Sequence, residues 1–142
     1  MSEESKNAIV LVVEDDFVDI EAVRRGIGKR DLDYDLHVKG DGQQALDFLR
    51  GELEPGDREQ LIVFLDINMP GMNGHQFLDA LRADEKLRRI IVFVLTTSDH
   101  EIDKSKAYDR NVAGYFVKSN IDGLLDTVAV YTDNVEFPPA SV

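Results

Sequence analysis

Short apolar runs alternate along the chain with longer segments in which apolar residues recur at helical spacing. Three of the runs are rich in β-branched residues and two are shorter or weaker; together they span residues 8–13, 34–38, 61–65, 90–95 and 114–117. Nearly continuous apolar runs of this length are typical of strands covered on both faces, as in parallel sheets. The pattern therefore predicts five parallel strands, of which 34–38 is the least well marked.

The segments that follow the five runs predict five amphipathic helices. The last helix has a stripe of apolar residues at spacing i, i+3, i+4 and i+7, made by Ile121, Leu124, Leu125 and Val128. The fourth helix is expected over about residues 101–110, and Ser98, Asp99 and Asn120 are candidate helix caps. Five consecutive strand–helix units, (βα)5, predict a doubly wound α/β fold with helices on both faces of one parallel sheet.

Two segments lie outside the alternating pattern. Residues 50–60 form a charged loop that contains Pro55-Gly56, and the prolines of the C-terminal tail cannot continue the last helix. We therefore divide the chain into an N-terminal tail (1–6), one domain (7–135) and a short C-terminal extension (136–142).

Composition narrows the possible compartments and partners. The 142 residues suit one domain, and the absence of cysteine excludes disulfides and thiolate metal sites and favours a reducing compartment. The 28 acidic and 16 basic residues give a net charge of −12, which repels nucleic-acid phosphates and anionic lipids. No apolar run approaches the roughly 18 residues of a spanning helix, and the acidic start does not look like a signal peptide. We expect a cytoplasmic protein that binds neither nucleic acid nor membranes.

Polar side chains follow four of the five predicted strands. They are Glu14-Asp15-Asp16, Asp66, Thr96-Thr97-Ser98 and Lys118. Each taken alone could be a solvated turn or a helix cap, and Asp16 suits the cap of the first helix. Ligands of open α/β sheets bind at the carboxyl ends of the strands, so the fold predicts one crevice that holds all four groups.

Clustered carboxylates require a cation, and oxygen ligands alone favour Mg²⁺. An aspartate carboxylate can accept a phosphoryl group, and phosphoryl transfer needs mainly positioning and charge neutralisation. In this interpretation Mg²⁺ bridges Asp15, Asp66 and a phosphoryl oxygen. Lys118, a threonine hydroxyl and a backbone N–H near Asn68 contact the remaining oxygens.

These residues resemble the receiver domain of two-component response regulators. The resemblance rests on Glu14-Asp15, on Leu65-Asp66-Ile67-Asn68-Met69-Pro70, on Leu95-Thr96-Thr97-Ser98 and on Gly114-Tyr115-Phe116-Val117-Lys118, and it covers about residues 7–135. It implies a flavodoxin-like sheet with the strand order 2-1-3-4-5.

The resemblance assigns a role to each acidic group of the crevice. Asp66 is the phosphoacceptor and also a metal ligand. Asp15 binds Mg²⁺ directly, Glu14 binds it through water, and Asn68 offers its backbone carbonyl.

The resemblance also assigns the groups that contact the phosphoryl group and respond to it. Lys118 contacts a phosphoryl oxygen, Thr97 is the hydroxyl switch residue and Tyr115 is the aromatic one. Spacing alone also allows Thr96 as the switch hydroxyl.

The implied function is a phosphorylation switch. A histidine kinase donates the phosphoryl group from a phosphohistidine to Asp66, the receiver takes part in its own phosphorylation and slow dephosphorylation, and it is not a metabolic enzyme. The signal leaves through the fourth helix, fifth strand and fifth helix. Because only a short tail follows the last helix, we expect output by contact with an unknown downstream protein.

Two departures from the usual receiver pattern narrow the resemblance. Glu14-Asp15 stands where most receivers have two aspartates, and Ser119 replaces a proline that follows the lysine in a cis bond. With the charged loop and the ending Val135-Glu136-Phe137-Pro138-Pro139, these features resemble the single-domain regulators that partner bacterial phytochrome kinases. The geometry of the bond between Lys118 and Ser119 stays open.

Several alternatives stay open. The tail either packs on its own last helix or contributes, with that helix, to a homodimer contact. An aspartate-nucleophile phosphatase of the haloacid dehalogenase type uses similar groups, but its nucleophile follows the first strand. A pseudo-receiver that binds partners without phosphorylation would be favoured by loss of Asp66 or Lys118, and both are present.

Overall fold

The computed structural model describes residues 8–53, 57, 60–134 and 138. These residues form five strands that alternate with five helices: β1 (Ile9–Val13), α1 (Phe17–Lys29), β2 (Asp35–Lys39), α2 (Gly42–Gly51), β3 (Leu61–Leu65), α3 (Gly74–Ala83), β4 (Ile91–Thr96), α4 (Glu101–Asp109), β5 (Gly114–Val117) and α5 (Ile121–Asn134). A single 3-10 turn, Lys118–Asn120, connects β5 to α5. The predicted α/β alternation is confirmed.

The five strands form one parallel sheet in the order β2-β1-β3-β4-β5, which confirms the predicted topology. Val13 lies opposite Leu65, so β1 and β3 end at the same level of the sheet. From β1 the chain passes to β2 at one edge of the sheet, and it then crosses back to β3 on the opposite side of β1. This reversal creates a crevice at the carboxyl ends of β1 and β3.

Alternate side chains of the central strands enter two apolar layers, one on each face of the sheet. On one face the strands pack against α2, α3 and α4 through residues that include Leu11, Val63, Val94, Leu46, Phe77 and Ala107. On the other face they pack against α1 and α5 through residues that include Val12, Phe64, Leu95, Val23, Leu124 and Leu125. Burial of both faces explains the nearly uninterrupted apolar runs of β1, β3 and β4.

Helix α5 is fastened to α1 by close packing and by charge. Gly26 of α1 leaves no room for a Cβ beside the Leu125 side chain. The Arg30 guanidinium donates hydrogen bonds to Asp122 (2.8 Å) and Asp126 (3.0 Å) of α5. This pairing holds the two helices together along the face of the sheet.

Helix α4 buries little apolar surface. Ala107 is its only buried residue, while Ile102 and Tyr108 are exposed. Its C-terminal end is held by Arg82 of α3, whose half-buried guanidinium donates to four backbone carbonyls, those of Arg88, Ile90, Arg110 and Asn111, at 2.7–3.1 Å.

The helix caps follow the sequence with one exception. Asp16 accepts hydrogen bonds from the N–H groups of Val18 and Asp19, as expected for the cap of α1, and Asn120 accepts one from Gly123 in the first turn of α5. The prediction that Ser98 or Asp99 caps α4 is wrong, because His100 is the residue at that position and its side chain makes no cap bond. The Ser98 hydroxyl points instead to Asp103 within α4.

The N-terminal tail (1–6) and most of the C-terminal extension (136–142) lie outside the described residues, as do parts of the 50–60 loop. Within the described part of the chain, no helix combines the length and apolar character needed to cross a membrane.

Candidate phosphoacceptor site

Three carboxylates meet at the crevice between β1 and β3. One carboxylate oxygen from each of Glu14, Asp15 and Asp66 lies within 4.8 Å of the others. Glu14 and Asp66 are each 4% exposed, whereas Asp15 is open to solvent. The three meet because β1 and β3 are neighbours that end at the same level, so the residues that follow them share one edge. A set of carboxylate oxygens without nitrogen or sulfur ligands suits a hard divalent cation.

Lys118 reaches this cluster from the end of β5. Its ammonium lies 2.8 Å from Glu14 Oε1, 2.7 Å from Asp19 Oδ2 and 3.3 Å from Asp66 Oδ2. The side chain is only 13% exposed. An ammonium group has three donors, and three different carboxylates face them here.

The buried charges shift two pKa values. Burial raises the pKa of Glu14 to about 7, and the nearby Asp66 charge acts in the same direction, although the bonds from Lys118 and the Asp16 N–H oppose both. Burial also disfavours the charge of Lys118, but its hydrogen bonds to Asp19 and Glu14 outweigh this and raise its pKa above the usual value. Lys118 is therefore a permanent cation, and Glu14 ionises near neutral pH.

Two neutral donors converge on the other oxygen of Asp66. The Thr96 hydroxyl donates to Asp66 Oδ1 at 2.9 Å, and the Asn68 backbone N–H donates to the same oxygen at 3.0 Å. The amide of Asn68 contacts the Thr96 hydroxyl in turn, at 3.4 Å. Asp66 is thus oriented from β3, from β4 and from the loop that follows β3.

The structure brings Thr96, and not Thr97, to the phosphoacceptor candidate. Thr96 is fully buried as the last residue of β4, on the same face of the sheet as Val94. Thr97 lies beyond the strand, is exposed, and has its hydroxyl 3.5 Å from the Asn68 amide. The expectation for Thr97 is corrected on this point: the residue type is the same, and the end of the strand decides which hydroxyl turns inward.

Tyr115 is half-buried on β5, on the face of the sheet that carries α4. Its hydroxyl donates to the backbone carbonyl of Ser98 at 2.8 Å, and burial raises its pKa. The Ser98 hydroxyl donates to Asp103 of α4, and the other oxygen of Asp103 lies 3.1 Å from His75 Nε2 of α3. This chain of bonds, from Tyr115 through Ser98 and Asp103 to His75, is called the α4 network below.

The three histidines do not form a metal site. His37 pairs with Asp35, His75 belongs to the α4 network and His100 precedes α4. Among the described residues, the group of three or more side chains that could hold a metal ion is Glu14, Asp15 and Asp66, and it contains no histidine.

Asp19 is the one contact of the site that the sequence did not indicate. It lies in the first turn of α1, where an acidic residue usually serves only the helix dipole. The sequence did hold a signal for this contact, because the first turn of a helix that follows β1 faces the same crevice as the end of that strand.

The peptide bond between Lys118 and Ser119 is trans, which answers the question left open by the serine that replaces the usual proline.

Comparisons with known proteins place this geometry in a family. Residues 10–129 match the family model described as the response regulator receiver domain. Response regulator Rcp1 of Synechocystis sp. is 34% identical to this chain over 148 residues, which cover 99% of this chain and 100% of Rcp1. The solved Mn²⁺-bound form of Rcp1 has a TM-score of 0.77 at 26% identity, with 92% of this chain and 99% of that chain covered.

Two further solved structures are similar. The phosphorylated cyanobacterial phytochrome response regulator RcpA has a TM-score of 0.79 at 25% identity, covering 95% of this chain and 100% of that chain. The bacteriophytochrome response regulator RtBRR has a TM-score of 0.74 at 30% identity, covering 96% and 87%. The sequence match spans nearly the whole described fold, and the carboxylates, the hydroxyl and the lysine stand at the ends of its strands. The chain therefore belongs to the response regulator receiver domain family, the phosphoacceptor modules of two-component signalling.

Proposed function

We propose that Asp66 accepts a phosphoryl group from the phosphohistidine of a sensor histidine kinase. In this reaction the phosphorus–nitrogen bond breaks, its electron pair stays on the imidazole nitrogen, and a bond forms between phosphorus and a carboxylate oxygen of Asp66. The observation that carries the proposal is the convergence on Asp66 of Lys118, the Thr96 hydroxyl and the Asn68 N–H. These donors are placed to hold negative charge that moves onto the phosphoryl oxygens.

Glu14, Asp15 and Asp66 are the residues that would hold a Mg²⁺ ion, with the backbone carbonyl of Asn68 as a further ligand. The donor set supports this assignment, because two of the three carboxylates are buried and share one ammonium group. The ion supplies charge neutralisation at the phosphoryl group. The direct role of Asp15 and the water-mediated role of Glu14 belong to the same proposal.

The receiver also supports its own phosphorylation and dephosphorylation. Lys118 and Thr96 are in place before any phosphoryl group arrives. A small-molecule phosphodonor should therefore also phosphorylate Asp66, although more slowly than a kinase does. Attack of water on the phosphorus then releases inorganic phosphate and regenerates the Asp66 carboxylate. The protein acts as a switch that resets itself rather than as a metabolic enzyme.

We assign the switch hydroxyl to Thr96 and the aromatic switch to Tyr115. Thr96 already contacts Asp66, and Tyr115 is tied to Ser98, two residues after Thr96. Movement of Thr96 towards a phosphoryl oxygen would pull on the segment that holds Tyr115 and the start of α4. The signal would then pass through α4, β5 and α5 to a downstream protein.

The proposed kinase partner is of the phytochrome class. Support comes from the names of the relatives, which include a cyanobacterial phytochrome response regulator and a bacteriophytochrome response regulator. A cytoplasmic location agrees with a cysteine-free chain of net charge −12.

We further propose a homodimer through α5 and the C-terminal extension. Val130 on α5 is 62% exposed, which supports an apolar contact on this helix. Sedimentation of the full chain and of a chain cut after Asn134 tests the proposal, and an unchanged assembly state would remove the extension from it.

Phosphotransfer from purified histidine kinases tests the central proposal. Wild-type protein with Mg²⁺ should gain one phosphoryl group, and the fastest donor should be a phytochrome-class kinase. Asp66→Asn should gain none, whereas Asp33→Asn, the same change at an exposed position outside the site, should behave as wild type. Rapid turnover of soluble phosphate esters would favour the phosphatase alternative. No transfer from any kinase or small donor would leave a pseudo-receiver.

A further inference from the structure

Lys118 contacts three carboxylates, one more than the two that belong to the phosphoacceptor site itself. Its ammonium makes short contacts to Asp19 (2.7 Å) and Glu14 (2.8 Å) and a longer one to Asp66 (3.3 Å). Two of these three acids belong to the carboxylate group suited to a metal ion, and Asp19 does not. Once an ion occupies Glu14 and Asp66, Asp19 is the carboxylate of the three that serves Lys118 alone.

The position of Asp19 is fixed by its helix. It lies in the first turn of α1, and its backbone N–H is capped by Asp16 at 3.4 Å. Its side chain is 29% exposed and 2.7 Å from an ammonium that is 13% exposed. A lysine side chain has four rotatable carbon–carbon bonds and large rotamer entropy, so a free Lys118 would be spread over many positions. A fixed acid beside it restricts those positions to the mouth of the crevice.

We infer that Asp19 is a positioning residue that anchors Lys118 over Asp66 during phosphoryl transfer. The weakest of the three contacts, at 3.3 Å to Asp66, is the one that a phosphoryl oxygen on Asp66 can replace with little movement of the ammonium. The contact to Asp19 persists through this exchange and keeps the ammonium aimed at the phosphoryl group. The inference rests on the proposed function of Asp66 and adds a residue to it.

Asp19 could act in the opposite sense. As a fourth carboxylate near the crevice, it adds negative charge that repels an incoming phosphoryl group. A role of that kind works through the field and does not need Lys118. The two roles therefore predict opposite signs for removal of Asp19 and different dependence on Lys118.

A double-mutant cycle separates these roles. The measured quantity is the rate of phosphorylation by a small donor with saturating Mg²⁺, as a function of donor concentration. We expect Asp19→Ala to lower the maximal rate by about 10-fold, Asp19→Asn to fall between it and wild type, and Lys118→Ala to lower the rate by about 100-fold. In the Lys118→Ala background, Asp19→Ala should change the rate by less than about 2-fold, because its target is gone. Glu21→Gln is the matched control and should behave as wild type, because Glu21 is an acid of α1 that is also 29% exposed but pairs with Arg24 instead of Lys118.

An increase in rate on Asp19→Ala, or an equal fold-change in both backgrounds, would overturn the inference and favour the repulsive role. Phosphorylation of wild-type protein in the same assay tests the proposed function separately. If wild type is phosphorylated and Asp19→Ala matches it, the positioning role alone fails.

A second readout does not depend on phosphorylation. Reductive methylation followed by peptide mass spectrometry measures the accessibility of each lysine, with Lys29 and Lys39 as internal references. Asp19→Ala should increase labelling of Lys118 by about 3-fold or more in the presence of Mg²⁺, with the reference lysines unchanged. Unchanged labelling of Lys118 would show that Asp19 does not restrain it, whatever the phosphorylation assay gives.

Discussion

Helices α4 and α5 pack on opposite faces of the sheet beside β5, and they are held in different ways. Helix α5 buries Leu124, Leu125 and Val128 completely and is bridged to α1 by Arg30. Helix α4 buries only Ala107 and depends largely on polar contacts. Displacing a helix exposes its apolar surface to water at a cost that grows with the exposed area, whereas hydrogen bonds can be exchanged for bonds to water at small net cost. The comparison teaches that α4 is held by less buried apolar surface than α5, and under the proposed function α4 is the element that phosphorylation would displace.

The largest expected difference is in stability. Leu125→Ala in α5 should lower the free energy of unfolding by about 2–5 kcal/mol, because it opens a cavity in the apolar layer. Ile102→Ala in α4, at a side chain that is 70% exposed, should change it by less than about 0.5 kcal/mol. Urea unfolding curves measure both. Equal losses at the two positions would mean that α4 is held as firmly as α5.

Hydrogen exchange sharpens the comparison under signalling conditions. Phosphorylation by a small donor should change the exchange of amides in the first turns of α4 by roughly 5-fold or more, in line with typical coupling energies of 1–3 kcal/mol. Amides in the middle of α5 should change much less. Asp66→Asn treated with the same donor is the control and should show neither effect, while a uniform change across both helices would contradict the proposed division.

Metal binding should stabilise the whole domain rather than one helix. At a Mg²⁺ concentration of ten times its Kd, the free energy of unfolding should rise by about 1.4 kcal/mol, and Asp15→Ala should lose most of this gain.

The gain should also depend on pH through Glu14. Because burial raises the pKa of Glu14 to about 7, the folded state binds a proton more tightly than the unfolded state. The contribution of Glu14 to stability without metal therefore falls as pH rises from about 4.5 to 7. The gain from Mg²⁺ should grow over the same range, as calorimetry at several pH values would show; a pH-independent gain would remove Glu14 from the ligand set.

The smallest expected effects come from a matched pair of tyrosines. Tyr115→Phe removes the bond to the Ser98 carbonyl at the start of α4, and Tyr34→Phe removes the 3.1 Å bond to Thr132 of α5. Each should lower the free energy of unfolding by about 0.5–1.5 kcal/mol. Only Tyr115→Phe should speed amide exchange at the start of α4. Faster amide exchange at the start of α4 in Tyr34→Phe would contradict the proposal that α4 and α5 are held independently.

Most of the fold could be predicted from the sequence, because strands that are buried on both faces appear as nearly continuous apolar runs. β1, β3 and β4 stand out as continuous apolar runs, and their confirmed order places Glu14 and Asp66 side by side. The edge strand β2 was the least well marked, and it runs over Asp35–Lys39 rather than residues 34–38. An edge strand has a partner on one side only and exposes more of its residues, so its apolar pattern is weaker.

The parts of the site that escaped prediction depend on single-residue geometry. Two adjacent threonines offer the same hydroxyl, and only the end of β4 shows that Thr96 faces Asp66. The sequence shows Asp19 only as an ordinary acid in the first turn of a helix, and the structure shows that Lys118 reaches it from the end of the edge strand β5. Sequence pattern identifies which groups reach the crevice, whereas the direction in which each side chain turns depends on packing.

The Arg82 guanidinium fixes one end of α4 and leaves the other end without such a restraint. It fastens the C-terminal end of α4, at the carbonyls of Arg110 and Asn111, to the chain that enters β4. The opposite end of this nine-residue helix starts beside the Ser98 segment, close to Asp66. The helix is about 13 Å long, so a tilt of about 5° around the fastened end displaces the other end by roughly 1 Å. Under the proposed function, Arg82 would therefore hold this end of α4 in place, so that a shift of the Ser98 segment would tilt the helix and reorient the surface that a partner contacts.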